Sequence, residues 1–409
     1  MVRSAILLNL LRYPRRSLTH HPCRRFSRLC APALCGVHPQ SSPSSLPLRK
    51  TPVRFLTAFP EPTPPVPPDI ATLASQTGQH SFPSPYELVG DDLAAIYEEI
   101  RTELQCDLPD LVDLARYYFT AQGKAFRPMV VLLMAAACGR HNADYCDAVA
   151  HKQRKVAIIA EMIHTASLIH DDVIDEADTR RNKPSLHYIS SSKKAVLTGD
   201  YILSVASREL ARLRHPDVII CLAQVIEDLV KGELMQLGST DAGQSATARF
   251  AAYLSKTYHK TASLLANSCK AVAMLGGCSA EVVEASFQFG KNLGMAFQLV
   301  DDNLDYVSTD SQMGKPTSVD LKLGLATAPV LLAAQTAPEL NALIERRFRQ
   351  DNDVELARKS VFQEKGVEQA KVLAAKYSQE AVLQLTALCR SPEQEALVKV
   401  AEMVLTRSN

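Results

Sequence analysis

A helical spacing of apolar residues, running from Ser84 to the C-terminus, constrains the fold more than any other feature of the sequence. Apolar residues recur there at intervals of three and four, and residues 129–138 are apolar on nearly every side, which indicates a buried helix. The clearest segments are 93–100, 129–138, 156–169, 218–237, 280–307, 324–336 and 393–405. No stretch alternates as a half-buried strand would, and no repeat recurs at solenoid periods. The sequence therefore predicts one all-α domain over residues 84–409, packed as a helical bundle.

The first 60 residues have a different composition. They hold nine Arg, one Lys and no Asp or Glu, whereas the remaining residues hold 35 basic and 44 acidic side chains. An Arg-rich, Ser-containing segment without acids is typical of a mitochondrial transit peptide, so we predict one over residues 1–60; a disordered basic tail or a secretory signal is the alternative. The proline density that follows predicts an extended linker over residues 61–83. No run of 18 or more apolar residues predicts a membrane-spanning helix.

An acidic motif at Asp171, Asp172 and Asp175 follows one of the helical segments. Asp171 and Asp175 are four residues apart, so on a helix they lie on one face, one turn apart. Carboxylates about 5.4 Å apart along a helix can hold hard cations between them, with water and ligand oxygens completing the coordination. One such motif is a weak signal, because acidic pairs are common on solvated helix faces.

The same spacing recurs at Asp301, Asp302 and Asp305, with apolar neighbours on both sides. Carboxylates in such surroundings need metal ions or cationic partners. Two facing segments of this kind can hold magnesium around one diphosphate, and Mg²⁺ is favoured over Ca²⁺ because it combines few carboxylates with phosphate oxygens. Neither segment has the loop spacing or the glycine of an EF-hand. We therefore predict an enzyme that acts on diphosphates.

Basic residues near these segments supply the complementary charge. Arg binds phosphate oxygens in a bidentate manner, and Lys binds them as a point charge. A lone basic pair is most often part of a solvated surface, and its weight here comes from its occurrence with both acidic motifs. The candidates are Lys124, Arg127, Arg180, Arg181, Lys260 and Lys315.

Taken together, these motifs resemble the trans-prenyltransferase (isoprenyl diphosphate synthase) family in order and spacing over about residues 85–409. The matching segments are 123–128, 164–175, 180–181, 199–200, 232–236 and 294–305. The resemblance implies an isoprenoid synthase-type helical bundle around a deep central cavity. It also implies two to three Mg²⁺ ions as cofactors and, as substrates, isopentenyl diphosphate with an allylic diphosphate such as farnesyl or geranylgeranyl diphosphate.

The resemblance also implies a role for each site residue. Asp171 and Asp175, with Asp172 nearby, would bind magnesium on the allylic diphosphate, and Asp301, Asp302 and Asp305 would hold the opposing ion. Arg180 would contact the allylic diphosphate. The isopentenyl diphosphate would be bound by Lys124, Arg127, His164 and Arg181. The rest of the lining would come from Lys260, Gln298 and Lys315. The acids expected to act directly in catalysis are Asp171, Asp175, Asp301 and Asp302.

Product length is predicted from Ala166 and Ser167, five and four residues before Asp171. In the family, aromatic residues at these positions close the floor of the pocket, whereas small ones leave room for a long chain. The alternative is that both residues merely allow close helix packing.

One departure from the family is Asn182, which stands where the family usually has a glycine. Asn tolerates positive φ better than most residues, so the turn is expected to survive.

These features predict a long-chain all-trans-polyprenyl diphosphate synthase with a decaprenyl or nonaprenyl product that supplies the ubiquinone side chain. We expect it in the mitochondrial matrix, as a dimer or a heterotetramer with a second prenyl synthase subunit. Peripheral association with the inner mitochondrial membrane is compatible with this, and nucleic acid is not an expected partner. The alternatives are a non-catalytic subunit, a shorter-chain synthase of the geranylgeranyl type, a terpene cyclase and a helical scaffold. The intact acidic and basic sets argue against the non-catalytic subunit, and the second acidic motif argues against the cyclase.

Overall fold

A computed structural model describes residues 84–119, 125–142, 145–180, 183–238, 243–307 and 318–407. The predicted transit peptide and linker lie outside these residues, and so do Lys124, Arg181 and Lys315. The helices before the second acidic motif are α1 (Pro85–Leu88), α2 (Gly90–Glu103), α3 (Pro109–Arg116), α4 (Phe126–Gly139), α5 (Asp147–Ile174), α6 (Leu186–Ile189), α7 (Ser192–Arg212), α8 (Pro216–Gly238), α9 (Ala246–Thr257) and α10 (Ser263–Leu275). A π-helical turn, Tyr258–Ala262, joins α9 to α10.

The remaining helices are α11 (Ala280–Val307), α12 (Val319–Lys322), α13 (Ala328–Ala333), α14 (Glu339–Glu345), α15 (Asp353–Gln363), α16 (Gly366–Gln384) and α17 (Pro392–Thr406), with a 3₁₀ turn at Leu385–Ala387. Two-residue strands, β1 (Thr179–Arg180) and β2 (Lys183–Pro184), form an antiparallel pair that is the whole of the sheet structure among the described residues. The prediction of an all-α fold is therefore confirmed.

Helix α10 lies at the centre of the bundle. It packs against α4, α5, α8 and α11, and α11 in turn packs against α16. A close contact brings α11 against the π-helical turn, because a Cβ added at Gly294 would lie 2.6 Å from the Cα atom of Ala262. Only glycine allows this approach, which brings the helix that carries the second acidic motif next to the turn that carries Lys260.

The first helix begins where the sequence predicts. Ser84 Oγ accepts a hydrogen bond from the backbone N–H of Glu87 (3.3 Å), and the backbone N–H of Ser84 donates to Glu87 Oε2 (2.7 Å). This reciprocal pair is a capping box, which satisfies backbone groups that the first helical turn leaves without partners. Pro85 occupies the first turn, where its missing N–H has no cost.

One helix boundary differs from the prediction. The segment 324–336 is helical only from Ala328 to Ala333. Gly324 has a φ of +78°, a left-handed conformation that ends α12 nearby. Pro329 then lies in the first turn of α13, so the helix begins just before it. Across the described ranges, no helix combines the length and the hydropathy that crossing a bilayer requires.

Candidate active site

The first acidic segment lies at the C-terminal end of α5. The helix ends at Ile174, and Asp175 follows as its cap, with its backbone N–H bonded to the carbonyl oxygen of Asp171 at 2.8 Å. Burial raises the pKa of the Asp171 carboxyl to about 6, although Lys260 opposes that shift. Burial also raises the pKa of Asp175. Helix geometry therefore holds these two carboxylates one turn apart on one face, with Asp171 partly buried and Asp175 exposed.

Lys260 is the cation next to this segment. Its Nζ atom donates to Glu233 Oε2 at 2.5 Å and lies 3.9 Å from Asp171 Oδ2. The second oxygen of Glu233, Oε1, is buried without a hydrogen-bond partner. A buried carboxylate oxygen in that condition is costly, and it is available to a cation or to a ligand proton. The sequence predicted Lys260 as a site residue but assigned nothing to Glu233.

Asp172 faces away from Asp171 and holds a different partner. Its side chain is only 1% exposed, and Oδ1 accepts from Arg180 Nε (2.8 Å) and Nη2 (2.5 Å). Tyr118 donates its hydroxyl proton to Oδ2 at 3.1 Å. Successive residues on a helix point about 100° apart, so Asp172 cannot share the direction of Asp171. The carboxylate of Asp172 therefore fixes the guanidinium of Arg180 at the edge of the site.

The second acidic segment lies at the end of α11, and Asp302 is its most buried member. Oδ2 accepts from the Tyr253 hydroxyl (2.5 Å) and from the backbone N–H of Ala328 (3.2 Å), and Oδ1 accepts from Gln298 Nε2 (2.9 Å). Burial raises the pKa of Asp302, and the bonds from Tyr253 and Gln298 oppose that rise. This carboxylate is held rigidly at the base of the site.

The other two aspartates of this segment face different partners. Asp301 forms an ion pair with Arg407, near the C-terminus. The carboxylate of Asp305 accepts from the backbone N–H of Val319 (3.0 Å) and of Asp320 (3.3 Å), at the start of α12. Burial raises the pKa of both carboxyls.

Asp320 is an acid that the spacing of the two acidic motifs does not predict as a site residue. Burial raises its pKa to about 7, and the charges of Asp302 and Asp305 add to the shift. It lies outside both motifs in the sequence. The packing of the fold brings it next to Asp302 and Asp305 of the second motif. The approach of α12 to the end of α11, which creates this contact, leaves no periodic signal in the sequence.

His164 and Arg127, which the resemblance assigns to the binding of isopentenyl diphosphate, lie in contact with each other. Arg127 Nη1 lies 2.9 Å from His164 Nε2, and its guanidinium lies 5.9 Å from the ring centre of Phe297. Arg407 stacks on the same ring at 3.7 Å. Two guanidinium groups thus share one aromatic side chain, a cation–π arrangement that fixes positive charge beside Asp301.

The π-helical turn connects the two acidic segments. Lys260 approaches Asp171, and the next residue, Thr261, donates its hydroxyl proton to Gln298 Oε1 at 2.9 Å. Gln298 then donates to Asp302 at 2.9 Å. A pocket here is lined by Lys256, Lys260, Thr261, Gln298, Asp302 and Asp320, among others. The structure therefore brings Lys260, Gln298 and members of both acidic segments together, and it adds Glu233, Tyr253, Thr261, Asp320 and Arg407.

The two residues assigned to product length lie on α5, before the first segment. Ala166 is fully buried. Ser167 is half-buried, and its hydroxyl donates to the carbonyl oxygen of His164 at 2.9 Å. Both side chains are small, and the prediction about product length remains to be tested by experiment.

The donor set suits a hard divalent cation. Every candidate ligand is a carboxylate oxygen, and burial raises the pKa of Asp171, Asp175, Asp301, Asp302 and Asp305. A bound cation would offset this desolvation and the mutual repulsion of the carboxylates. Within the described part of the chain, no three acidic, His or Cys side chains converge closely enough to hold an ion by themselves. A ligand such as a diphosphate would offer further oxygens to a cation held by these carboxylates.

A helical bundle with facing carboxylate segments and a basic rim is the arrangement of enzymes that act on prenyl diphosphates. The sequence profile of the family described as polyprenyl synthetase matches residues 109–363. This chain therefore belongs to the polyprenyl synthetase family. The predicted family, its all-helical isoprenoid synthase fold and the transferase activity are confirmed.

Three relatives indicate the branch of the family. The chain is 53% identical to the all trans-polyprenyl-diphosphate synthase PDSS1 of Homo sapiens, over 80% of this chain and 78% of that protein. It is 42% identical to decaprenyl-diphosphate synthase subunit 1 of Schizosaccharomyces pombe, over 78% of this chain and 90% of that protein. It is 40% identical to the probable mitochondrial hexaprenyl pyrophosphate synthase of Neurospora crassa, over 79% of this chain and 82% of that protein.

Solved structures agree with this assignment. A decaprenyl diphosphate synthase from Rhodobacter capsulatus superposes with a TM-score of 0.70 at 28% identity, covering 80% of this chain and 98% of that one. A polyprenyl synthase from Caulobacter crescentus, solved with calcium and isoprenyl diphosphate, gives a TM-score of 0.69 at 30% identity. The match covers 80% of this chain and 97% of that one. The predicted activity, a long-chain all-trans-polyprenyl diphosphate synthase, is confirmed. Segments 226–238, 260–271 and 313–327 also resemble the catalytic subunit of mitochondrial decaprenyl diphosphate synthase, and the relatives confirm that resemblance.

Proposed function

We propose that the pocket between the two acidic segments is where isopentenyl diphosphate is condensed onto an allylic diphosphate. The observation that carries this proposal is the continuous path from Asp171 through Lys260, Thr261 and Gln298 to Asp302. This path links the two carboxylate segments through side chains that can bind phosphate oxygens. The primer is farnesyl or geranylgeranyl diphosphate, and the product is of decaprenyl or nonaprenyl length.

The carboxylates would hold two to three Mg²⁺ ions: Asp171 and Asp175 on one side, and Asp301, Asp302 and Asp305 on the other. Bound magnesium would neutralise charge on the departing diphosphate. Arg180, held by Asp172, and Lys260 contribute fixed positive charge for the same leaving group. Lys315 lies outside the described residues and is proposed only from its place in the family motif.

The second substrate would bind on the other side of the pocket. Arg127 and His164, which are already in contact, would bind the diphosphate of isopentenyl diphosphate, together with Lys124 and Arg181 from outside the described residues. Arg407, which stacks on Phe297, adds charge to this side. The reacting double bond and the allylic carbon are then held close together, which removes most of the entropic cost of a bimolecular step.

The reaction needs no side-chain nucleophile. The allylic C–O bond breaks, and its electron pair leaves with the diphosphate. The double bond of isopentenyl diphosphate attacks the allylic cation and forms the new C–C bond. A proton then leaves the adjacent carbon, with the departed diphosphate as its acceptor, and the chain is longer by one isoprene unit. Exclusion of water by the buried walls protects the cation.

The direct test is product analysis of the purified protein with radiolabelled isopentenyl diphosphate, Mg²⁺ and either primer. We expect long-chain polyprenyl diphosphates and a strict requirement for divalent metal. Release of no diphosphate under these conditions, alone or with a partner subunit present, would rule out the proposal. A ladder that ends at geranylgeranyl diphosphate would instead select the shorter-chain alternative.

We also propose assembly with a second prenyl synthase subunit, as a dimer or heterotetramer. Helix α8 carries an exposed apolar stripe in which Val230, Leu234 and Leu237 are 56%, 63% and 57% exposed. Exposed apolar stripes of this kind are typical of interfaces between chains. The S. pombe relative is named as a subunit, which supports the same proposal. Substitution of Leu234 and Leu237 by Glu should lower the assembled mass in light scattering.

For localisation, we propose import into the mitochondrial matrix through residues 1–60, with the product supplying the ubiquinone side chain. The acid-free, Arg-rich composition of that segment and the mitochondrial relative support this proposal. Residues 1–60 fused to a fluorescent protein should direct it to mitochondria. The same fusion with Arg12, Arg15 and Arg16 changed to Gln is the control and should remain in the cytosol.

A further inference from the structure

The π-helical turn Tyr258–Ala262 interrupts what is otherwise one helix from Ala246 to Leu275. A π-helical turn adds one residue to the helical register, is rare, and occurs mostly at functional sites. Its sequence, Tyr-His-Lys-Thr-Ala, contains neither proline nor glycine that would force the distortion. The cause must therefore lie in the side chains and helices that pack around the turn.

Helix α8 provides the closest packing surface. A Cβ added at Gly232 would lie 2.9 Å from the backbone nitrogen of Lys260, so the two backbones approach as closely as glycine allows. Glu233, the next residue on α8, holds the Lys260 ammonium at 2.5 Å. One turn of α8 thus contacts both the backbone and the side chain of Lys260.

Asp228 lies one turn earlier on the same helix, with a side chain that is 4% exposed. Its carboxylate accepts a hydrogen bond from Ser263 Oγ and another from Gln224 Nε2 at 2.9 Å. His259 Nδ1 lies within ion-pair distance of Asp228 Oδ1, at 3.2 Å, although this buried nitrogen makes no hydrogen bond. Asn267, one turn further along α10, donates to Ser263 Oγ at 3.0 Å and extends the network into the core.

The partners of Asp228 flank Lys260 on both sides. His259 comes immediately before Lys260, and Ser263 is the first residue of α10 after the turn. A buried carboxylate is tolerated only while its hydrogen-bond partners remain in place, so the bond from Ser263 ties the C-terminal end of the turn to α8. At the other end, the imidazole of His259 packs within ion-pair distance of the same carboxylate. Relaxation of the turn to α-helix would remove one residue from the register and rotate Lys260 by about 100° relative to one of the flanking helices.

We propose that Asp228 is a positioning residue that holds the π-helical turn in register and thereby directs Lys260 to the first acidic segment. The inference rests on the proposed role of Lys260 in substrate binding. Among the described residues, Asp228 makes its hydrogen bonds and ion pair with Gln224, Ser263 and His259, and none with Asp171 or Lys260, so we expect its effect on the reaction to pass through the turn. The same register sends Thr261 to Gln298, on the other side of the site.

The test is a double-mutant cycle of wild type, Asp228→Asn, Lys260→Ala and the double variant. Farnesyl diphosphate is the varied substrate, and isopentenyl diphosphate and Mg²⁺ are saturating. Asp228→Asn keeps the shape of the side chain but removes its charge and one acceptor oxygen. We expect it to lower kcat/KM about tenfold in the wild-type background and less than twofold once Lys260 is absent, because coupled residues are not additive. An equal loss in both backgrounds would overturn the proposal.

A matched control separates positioning from stability. Asp353 is buried to a similar degree and is held by Arg346 at 2.6 and 2.8 Å, in a helix that contributes nothing to the pocket lining described above. Asp353→Asn should lower the melting temperature and leave kcat/KM within twofold of wild type. If Asp228→Asn fails to fold, Ser263→Ala replaces it, with a smaller expected loss of about threefold that also disappears in the Lys260→Ala background; persistence of that loss would overturn the proposal.

The proposed function and this inference fail in different ways. If wild type transfers no prenyl group, the proposed function fails. If Lys260→Ala alone keeps full activity, the role of Lys260 fails and the inference fails with it, whereas the prenyl transfer activity stands.

Discussion

Arg180 Nη2 lies 2.5 Å from Asp172 Oδ1, so the middle acid of the first segment is paired with a cation of this chain, while Asp171 lies on the side of Lys260. The pair is nearly buried on the carboxylate side, where a charge without a partner would be costly. The three aspartates of one motif therefore perform two tasks: two would bind metal, and one holds the arginine.

This division predicts different kinetics for two adjacent substitutions. Asp172→Asn should raise KM for the allylic diphosphate about tenfold, because Arg180 loses its charged partner. The Mg²⁺ concentration that gives the half-maximal rate should stay within twofold of the wild-type value. Asp171→Asn should lower turnover by a factor of about 100 or more and raise that Mg²⁺ concentration. Titrations of rate against Mg²⁺ for both variants provide the measurement. An equal shift in the Mg²⁺ requirement would show that Asp172 is also a ligand.

The second segment should be equally sensitive. Asp302→Asn removes the charge but keeps acceptors for the Tyr253 and Ala328 donors, so the fold should survive while turnover falls by two orders of magnitude or more. Turnover and far-ultraviolet circular dichroism are measured together. Asp217→Asn, in the exposed first turn of α8, is the control and should stay within twofold of wild type. Unchanged turnover in Asp302→Asn would remove this residue from the catalytic set.

The raised carboxyl pKa values predict how the stability of the metal-free protein depends on pH. The pKa of Asp320 is about 7 in the fold, against about 3.9 for an unfolded aspartate. Between these values the folded state binds more protons than the unfolded state, so stability falls as pH rises through this window. The melting temperature should rise as pH is lowered from 7.5 to 5.5.

Asp320→Asn provides the matched comparison for this pH dependence. It should reduce the slope of melting temperature against pH and be more stable than wild type at pH 7.5, because the penalty for ionising a buried group is gone. Mg²⁺ with inorganic diphosphate should also flatten the wild-type slope, since a bound cation favours the ionised carboxylates. Identical slopes for wild type and variant would contradict the assignment of this group.

Ala166→Phe tests the proposal on product length. The larger side chain should fill space below the first segment and shift the product ladder to shorter polyprenyl diphosphates, resolved by reversed-phase chromatography. Overpacking itself destabilises proteins by about 1–3 kcal/mol, so a control is needed. Ala160→Phe introduces the same side chain at another buried position of α5 and should leave the ladder unchanged. An unaltered ladder in Ala166→Phe would leave Ala166 with a packing role only.

The sequence predicted the parts of the site that depend on local periodicity. The spacing of Asp171 and Asp175 fixes them on one helical face whatever the tertiary structure, and the apolar surroundings of Asp302 correctly indicated burial. The partners of Asp172 and Asp302 were not predictable from spacing, because Arg180 lies in the short strand β1 and Tyr253 lies in a different helix, α9.

Residues distant in sequence were missed for the same reason. Glu233 and Asp320 lie in segments that matched or adjoined family motifs, yet their contacts with Lys260 and Asp305 depend on how α8 and α12 pack. Thr261 reaches Gln298 only because of the π-helical turn, which has no periodic signature in the sequence. Helix packing decides these contacts, and no local pattern encodes it.

The contact between Arg407 and Asp301 has a practical consequence for work with this enzyme. An affinity tag or fluorescent protein joined to the chain directly after Arg407 would begin next to Asp301 and Phe297. Such a fusion would disturb the ion pair between Arg407 and Asp301, and inactivity of the tagged protein would be easily mistaken for a missing subunit. Expression vectors should therefore carry the tag upstream of Ser84, with a protease site for its removal.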